Sequence, residues 1–281
     1  MSDNKNSKTI GLVAGNRRLP FQFAEFAKRS GWDLHVIGLK GEVDEKLKDE
    51  VAPGRYTEFH VNEISKGIQF LKRQGIDEIV FIGGCARAKF TFNLDLVKVL
   101  ARLLFMKNKH KGVFTIILSM FEKGGIKVRA IQDLMPELLI GEGSLGSVKP
   151  SDDDIAAFQK NLPAILDYTR SGVGQAVIIY KGEILAYEGF KGTDDLVRRA
   201  TAKRSELGGT TGGVMAKIME PGQDGRIDFP VVGTMTVETL SKYGIDGVFV
   251  EAGGAIADDI ADTVKVADAK GVFVYGVGIN S

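Results

Sequence analysis

What this chain lacks narrows its class first. A single cysteine, Cys85, in 281 residues excludes an internal disulfide framework and fits a reducing compartment. With only three histidines beside it, the ligands of a structural zinc site are missing. No run of about 18 apolar residues is present to span a bilayer, and the opening MSDNKNSK is polar where a secretion signal carries an apolar stretch. A soluble, cytoplasmic protein is the expectation. The formal net charge is +1, so no whole-molecule field draws the chain to nucleic acid. No segment repeats at a fixed period, which argues against a solenoid.

What is present points to two domains. The chain is 44% apolar and 26% charged, enough for two ordinary cores, and its 35 glycines stand mostly at strand ends and turns. TIGLVAG, LPFQFAEFAKRSG, DLHVIGL, VNEISKGIQFLKRQG and IDEIVFIGG alternate strand and helix patterns. Phe23, Phe26 and Ala27 recur at helical spacing and Gly31 is a stop signal. Short Val/Ile-rich runs between helices predict a parallel sheet covered on both faces. Residues 93–105 read as a helix, and VFTIILSM suits a buried strand or a helix equally.

A first domain over 1–132 closes on a linker at 133–155, where Pro136, GEGSLGS and Pro150 fall. Ser151 and Asp154 have capping-box spacing for a helix over 152–171. In the second domain, 156–281, QAVIIY and EILAYEG flank Lys181-Gly182 as a hairpin. A helix from Thr193, strand VMAKIM, a helix near 236–243, strand GVFVEAG, a helix over 256–269 and strand GVFVYGV follow. The fold class is α/β: a parallel-sheet domain and a mixed α/β domain joined by a linker.

The densest chemistry lies in residues 208–230, GGTTGGVMAKIMEPGQDGRIDFP. Lys217 interrupts an apolar strand where an unpaired ammonium is costly, and Pro221-Gly222-Gln223-Asp224-Gly225 is turn composition. Strand alternation in RIDF puts Arg226 and Asp228 on one face. Asp228 is the sharpest candidate, to hold a metal or orient a water; its structural alternative is an ion pair with Arg226 or Lys217. Glu188, Thr193 and Asp194 sit where a strand turns into a helix. Glu188 or Asp194 offers Mg²⁺ a hard oxygen ligand, while first-turn aspartates equally serve the helix dipole. Glu251 adds a carboxylate at the end of GVFV.

In the first domain the G-x-G-x-x-G fingerprint is absent, which counts against an NAD enzyme. Ala14-Gly15-Asn16-Arg17-Arg18 stands in its place, suited to an anion or to a plain tight turn. No acid is placed for a ribose. Gly83-Gly84-Cys85-Ala86-Arg87 brings Arg87 to the carboxyl edge of the sheet, where open α/β folds bind ligands. Cys85, with no His or Asp beside it in sequence, reads as packing.

Together, LVAGNxxLP at 12–20, GGxxR at 83–87, GQAV at 174–177, GTD at 192–194, AKxxxPGQDxRIDxP at 216–230, GxxTV at 233–237, GxxVEAG at 247–253 and the terminal GxFVYGV resemble the UDP-2,3-diacylglucosamine pyrophosphatase family of the LpxI type. The resemblance implies a Rossmann-like first domain and a family-specific second one, closing on a UDP-linked diacyl sugar. It implies hydrolysis of the pyrophosphate, with Mg²⁺, to 2,3-diacylglucosamine 1-phosphate (lipid X) and UMP in lipid A biosynthesis. By similarity the essential aspartate falls on Asp228. Lys217, Gln223, Arg226, Thr193, Asp194 and Glu251 match motif positions as ligand or metal contacts, and Asn16, Arg87 and Gln175 lie in motifs as substrate contacts. Such a substrate implies peripheral contact with the inner membrane and no nucleic acid; the oligomeric state is left open. The family's Gly-Asp-Asp stretch is replaced here by Lys109-His110-Lys111, and the alternative this raises is a non-catalytic sensor of a nucleotide or acyl sugar.

Overall fold

The Val/Ile runs of the first half form strands and the longer patterns between them helices. The computed structural model describes residues 8–84, 94–103, 109–189, 191–219, 224–226 and 229–279. They fall into two units, Met1–Leu134 with Gly225–Ile227, and Met135–Asp224 with Asp228–Ser281. The first unit runs β1 (Thr9–Ala14), α1 (Leu19–Arg29), β2 (Asp33–Leu39), β3 (Tyr56–Phe59), α2 (Ile64–Arg73), β4 (Glu78–Ile82), α3 (Leu94–Leu103), α4 (Lys109–Lys123), β5 (Lys127–Arg129) and α5 (Ile131–Leu134). VFTIILSM lies in α4, as helix.

The five strands pair in parallel in the order β3-β2-β1-β4-β5. Val13, Ile37, Ile79 and Val128 share one core with Leu71 of α2 and Ile116 and Phe121 of α4. Their strand neighbours Leu12 and Val36 are buried too, so both faces are covered, as parallel sheets require. The chain goes outward from β1 to β3 and then crosses to β4, which makes the β1/β4 crevice the topological switch point.

Asp95 moors α3. It is 5% exposed, and its carboxylate accepts 2.7 Å bonds from the Ser65 amide and hydroxyl at the start of α2. Burial pushes this carboxyl up, but the Ser65 bonds and Lys98 reverse that and hold it below its ordinary value. A depressed carboxylate contributes stability above its unfolded pKa and loses it as pH falls through the folded one. Asp95→Ala is therefore expected to destabilise the first unit by about 1–3 kcal/mol at neutral pH. The gap to wild type narrows in acid; denaturation at both pH values checks this, and an equal gap refutes it.

The second unit carries β6 (Gly143–Ser144), α6 (Asp152–Arg170), β7 (Ala176–Tyr180), β8 (Glu183–Tyr187), α7 (Gly192–Glu206), β9 (Val214–Lys217), β10 (Val231–Val232), α8 (Thr234–Lys242), β11 (Gly247–Glu251), β12 (Ile256–Ala257), α9 (Ile260–Lys270) and β13 (Phe273–Val277). Its main sheet has the order β6-β13-β11-β9-β7-β8, with β13, β11 and β9 parallel and β7, β8 and β6 antiparallel to their neighbours. Strict alternation splits its side chains. Ile178, Met215, Val248 and Val274 pack with α7, α8 and α9 residues, and Val177, Val214, Phe249 and Phe273 with Phe158 and Ile165 of α6.

The capping box forms, with the Ser151 side chain on the Asp154 amide and Asp154 on the Ser151 amide. The hairpin turns through Lys181 and Gly182, both at positive φ, as a two-residue primed turn demands. The stretch 133–155 differs from the linker expected. From Met135 on it belongs to the second unit, because Leu138 and Ile140 are buried and β6 pairs with β13. The helix expected from 256 begins at Ile260, since Ile256–Ala257 pairs with β10 and Asp259 caps α9 through the Asp262 amide. Among the described residues no helix is long and apolar enough to cross a membrane.

Candidate active site

In the second unit the motif residues converge by topology. Lys217 ends β9 and is paired with Val250 of β11 on one side and Ala176 of β7 on the other; Val177 is paired with Tyr187 of β8. Glu251, Lys217, Gln175 and Glu188 therefore follow one another along a single edge of the sheet. It is the carboxyl edge of its parallel strands, where open α/β sheets bind ligands. Thr193 and Asp194 join them in the first turn of α7.

Glu188 is a clasp. One carboxylate oxygen accepts from the Gln175 amide at 2.9 Å and the other from the Thr193 hydroxyl at 2.7 Å, while Tyr168 Oη donates to the Glu188 carbonyl. A Cβ on Gly174 would lie 2.8 Å from Glu188 Cβ and from Tyr168 Oη, which is why glycine precedes Gln175. Two motifs, GQAV and GTD, are thus tied at one point. Asp194 is exposed, and its neighbour Asp195 holds Arg199 at 2.7 Å. Lys217 donates to the Val231 carbonyl at 3.1 Å. Burial pushes the Glu251 carboxyl above its ordinary value against a bond from the Met219 amide, the kind of perturbation that functional sites share.

In the first unit Asn16 stands at the switch point. Its amide donates to the Gly84 carbonyl at 2.9 Å and the Gly15 amide to that of Ile82 at 2.8 Å, so the exits of β1 and β4 are stitched together. A Cβ on Gly15 would meet Gly84 O at 2.1 Å; the glycines serve this approach of backbone to backbone. Asn16 Nδ2 donates to Glu42 at 2.6 Å. Glu42 lies just beyond β2 and is 8% exposed, at the place where a Rossmann sheet keeps its ribose-binding acid. The sequence reading missed it, since Lys40-Gly41-Glu42 has turn composition.

Arg226 differs from expectation. Gly225 and Arg226 form a turn rather than a strand, and the Arg226 guanidinium bonds Glu122 at 2.5 Å, a partner that strand alternation does not disclose. Asp228, Gln223, Arg87 and Cys85 lie outside the described residues.

The donor set for Mg²⁺ is correspondingly thin. Among the described residues no three His, Cys, Asp or Glu gather as a metal cage needs. Three strand steps separate β8 from β11, about 14 Å of backbone, and both Glu188 oxygens are already engaged. Glu188, Asp194 and Glu251 stand as separate groups among the described residues, and Asp228, the other carboxylate named for an ion, lies outside them. Single carboxylates of this kind suit an ion held chiefly by substrate phosphates. Glu188→Ala is expected to misplace Gln175 and Thr193 and so to lower the kcat/KM of UMP release by about tenfold, with partial recovery in Glu188→Gln; an unchanged kcat/KM would show that the clasp does not position this edge.

These features define a two-unit α/β protein with a Rossmann-like first unit and a second, mixed sheet whose polar residues line its carboxyl edge. Residues 9–138 match the LpxI N-terminal domain and residues 141–275 the LpxI C-terminal domain. The chain belongs to the LpxI family. It is similar to the UDP-2,3-diacylglucosamine pyrophosphatase LpxI of Caulobacter vibrioides (strain ATCC 19089 / CIP 103742 / CB 15), with 29% identity over 277 residues that cover 96% of this chain and 98% of the relative.

Proposed function

We propose that this chain hydrolyses the pyrophosphate of UDP-2,3-diacylglucosamine to 2,3-diacylglucosamine 1-phosphate and UMP in lipid A biosynthesis, with Mg²⁺ assisting. The observation that carries the reading is the match of both units to one family, together with the meeting of its motif residues at one sheet edge. Water adds to one phosphorus, the bridging P–O bond breaks, and one proton leaves. Negative charge grows on the phosphoryl oxygens during attack, so fixed donors and cations aimed at them supply most of the stabilisation. Lys217 and the backbone amides of the first turn of α7 are groups of that type. Asp228, the aspartate of the R-I-D motif, directs the water or holds the ion. When bound with the substrate, the ion neutralises diphosphate charge.

The test is UMP release from UDP-2,3-diacylglucosamine by purified protein with and without Mg²⁺. Folded protein that releases no UMP overturns the reading. Stabilisation of its thermal midpoint by the substrate without turnover would favour the non-catalytic sensor that Lys109-His110-Lys111 raises as the alternative.

A further inference from the structure

The carboxyl edge of the first unit's sheet carries its own row of polar groups. Glu42 follows β2, Asn16 follows β1 and Gly84 follows β4. The Asn16 side chain spans all three, for its Nδ2 donates to Glu42 Oε2 at 2.6 Å and a Cβ on Gly84 would lie 2.5 Å from its Oδ1. In a Rossmann loop the backbone amides after the first strand face a phosphate. Here they are spent on the chain itself, the Gly15 amide on the Ile82 carbonyl at 2.8 Å and the Asn16 amide on that of Gly84 at 2.9 Å. Anion recognition at this edge therefore passes to side chains. Arg17 is placed for it: it is exposed and stands at φ 77°, a left-handed conformation that costs a non-glycine residue free energy and gathers at ligand sites. Lys181, the other described non-glycine residue at positive φ, is accounted for by its hairpin turn; Arg17 lies in no hairpin.

Glu42 is the complement of that cation. It is 8% exposed, and a carboxylate accepts up to about four hydrogen bonds, so the bond from Asn16 does not exhaust it. An acid beyond β2 suits a vicinal diol, whose two hydroxyls are donors. An acceptor for hydroxyls and, one strand inward, a cation for an anion reproduce the order of ribose and phosphate in a nucleotide. We infer that Glu42 reads the ribose of the substrate's nucleotide half by accepting from its 2′-hydroxyl, with Arg17 meeting the adjoining phosphate, and so makes the chain selective for ribonucleotides over deoxyribonucleotides. The inference rests on the proposed function, which supplies the nucleotide.

The test is calorimetric titration of the full chain with UMP and with 2′-deoxy-UMP, without diacylated substrate. Wild type is expected to bind UMP at least about tenfold more tightly, because the deoxy analogue leaves a buried acceptor without its donor. Glu42→Gln keeps an acceptor for the Asn16 amide and removes the charge, which should cut the preference to within about threefold; Glu42→Ala should abolish it. Arg17→Ala should weaken both ligands alike, by about tenfold, and keep the preference. Unchanged thermal midpoints confirm that Glu42→Gln and Arg17→Ala fold. Equal binding of the two nucleotides by wild type, or a preference that survives both Glu42 variants, overturns the proposal. So does an absence of UMP binding by folded wild type. UMP release from UDP-2,3-diacylglucosamine by a chain with no ribose preference would leave the reaction standing and refute the ribose site. A ribose preference in a chain that releases no UMP would do the reverse.

Discussion

Asp228→Asn is expected to lower kcat for UMP release by about a thousandfold, within the range of 10²–10⁴ that a positioned proton acceptor contributes, while the thermal midpoint stays put. Asparagine keeps the shape and removes the charge, so an effect on chemistry is separated from an effect on packing. If the carboxylate accepts the proton of the attacking water, added Mg²⁺ does not restore the variant's activity. If it holds the ion instead, the variant's residual activity rises with added Mg²⁺ and chelation abolishes wild-type turnover. Activity of Asp228→Asn within a few-fold of wild type overturns the role in either form. KM is expected to change little, because an interaction made mainly in the transition state costs kcat and kcat/KM together.

Sequence reaches those parts of the fold and site that have strong local signals. Glu188, Lys217 and Glu251 are legible as strand-end groups because each closes an apolar run. The capping box at Ser151 and the turn at Lys181-Gly182 are legible because their chemistry acts over two or three residues. Their arrangement is not. That Lys217 lies between Gln175 and Glu251 depends on β7 pairing antiparallel with β9, a contact between positions some 40 residues apart that leaves no periodic trace. Tyr56–Phe59 escapes notice because YTEF shows only intermediate burial. The two-residue strands β6, β10 and β12 are too short for alternation to appear. VFTIILSM is ambiguous for the opposite reason, being apolar at six of its eight positions.

Arg204 is the clearest case of a residue whose role only packing reveals, and it carries the largest stability effect we expect. In KRSELGG it looks like a solvated cation at a helix end. It is 2% exposed, and its guanidinium donates to four carbonyls: Gly212 at 2.6 Å, Gly244 at 2.9 Å, Thr210 at 2.9 Å and Tyr243 at 2.6 Å. Two of these belong to the loop leading into β9 and two to the end of α8 ahead of β11, so one planar fork fastens the segments that lead into both strands. Arg204→Ala removes four hydrogen bonds of a buried guanidinium and opens a cavity, and the expected loss is about 4–5 kcal/mol. That lowers the thermal midpoint of the second unit by at least about 10 °C. Arg204→Lys keeps the charge with fewer, unforked donors and should lose roughly half as much. Arg198→Ala, whose side chain is 62% exposed, is the control expected to cost under about 1 kcal/mol. Arg204 fastens the amino ends of β9 and β11, whereas Lys217 and Glu251 stand at their carboxyl ends. The surviving folded fraction of Arg204→Ala should therefore keep the wild-type KM. A midpoint no lower than that of Arg198→Ala would show that the four bonds do not hold the unit together, and a changed KM would show that the two ends of the sheet are not independent.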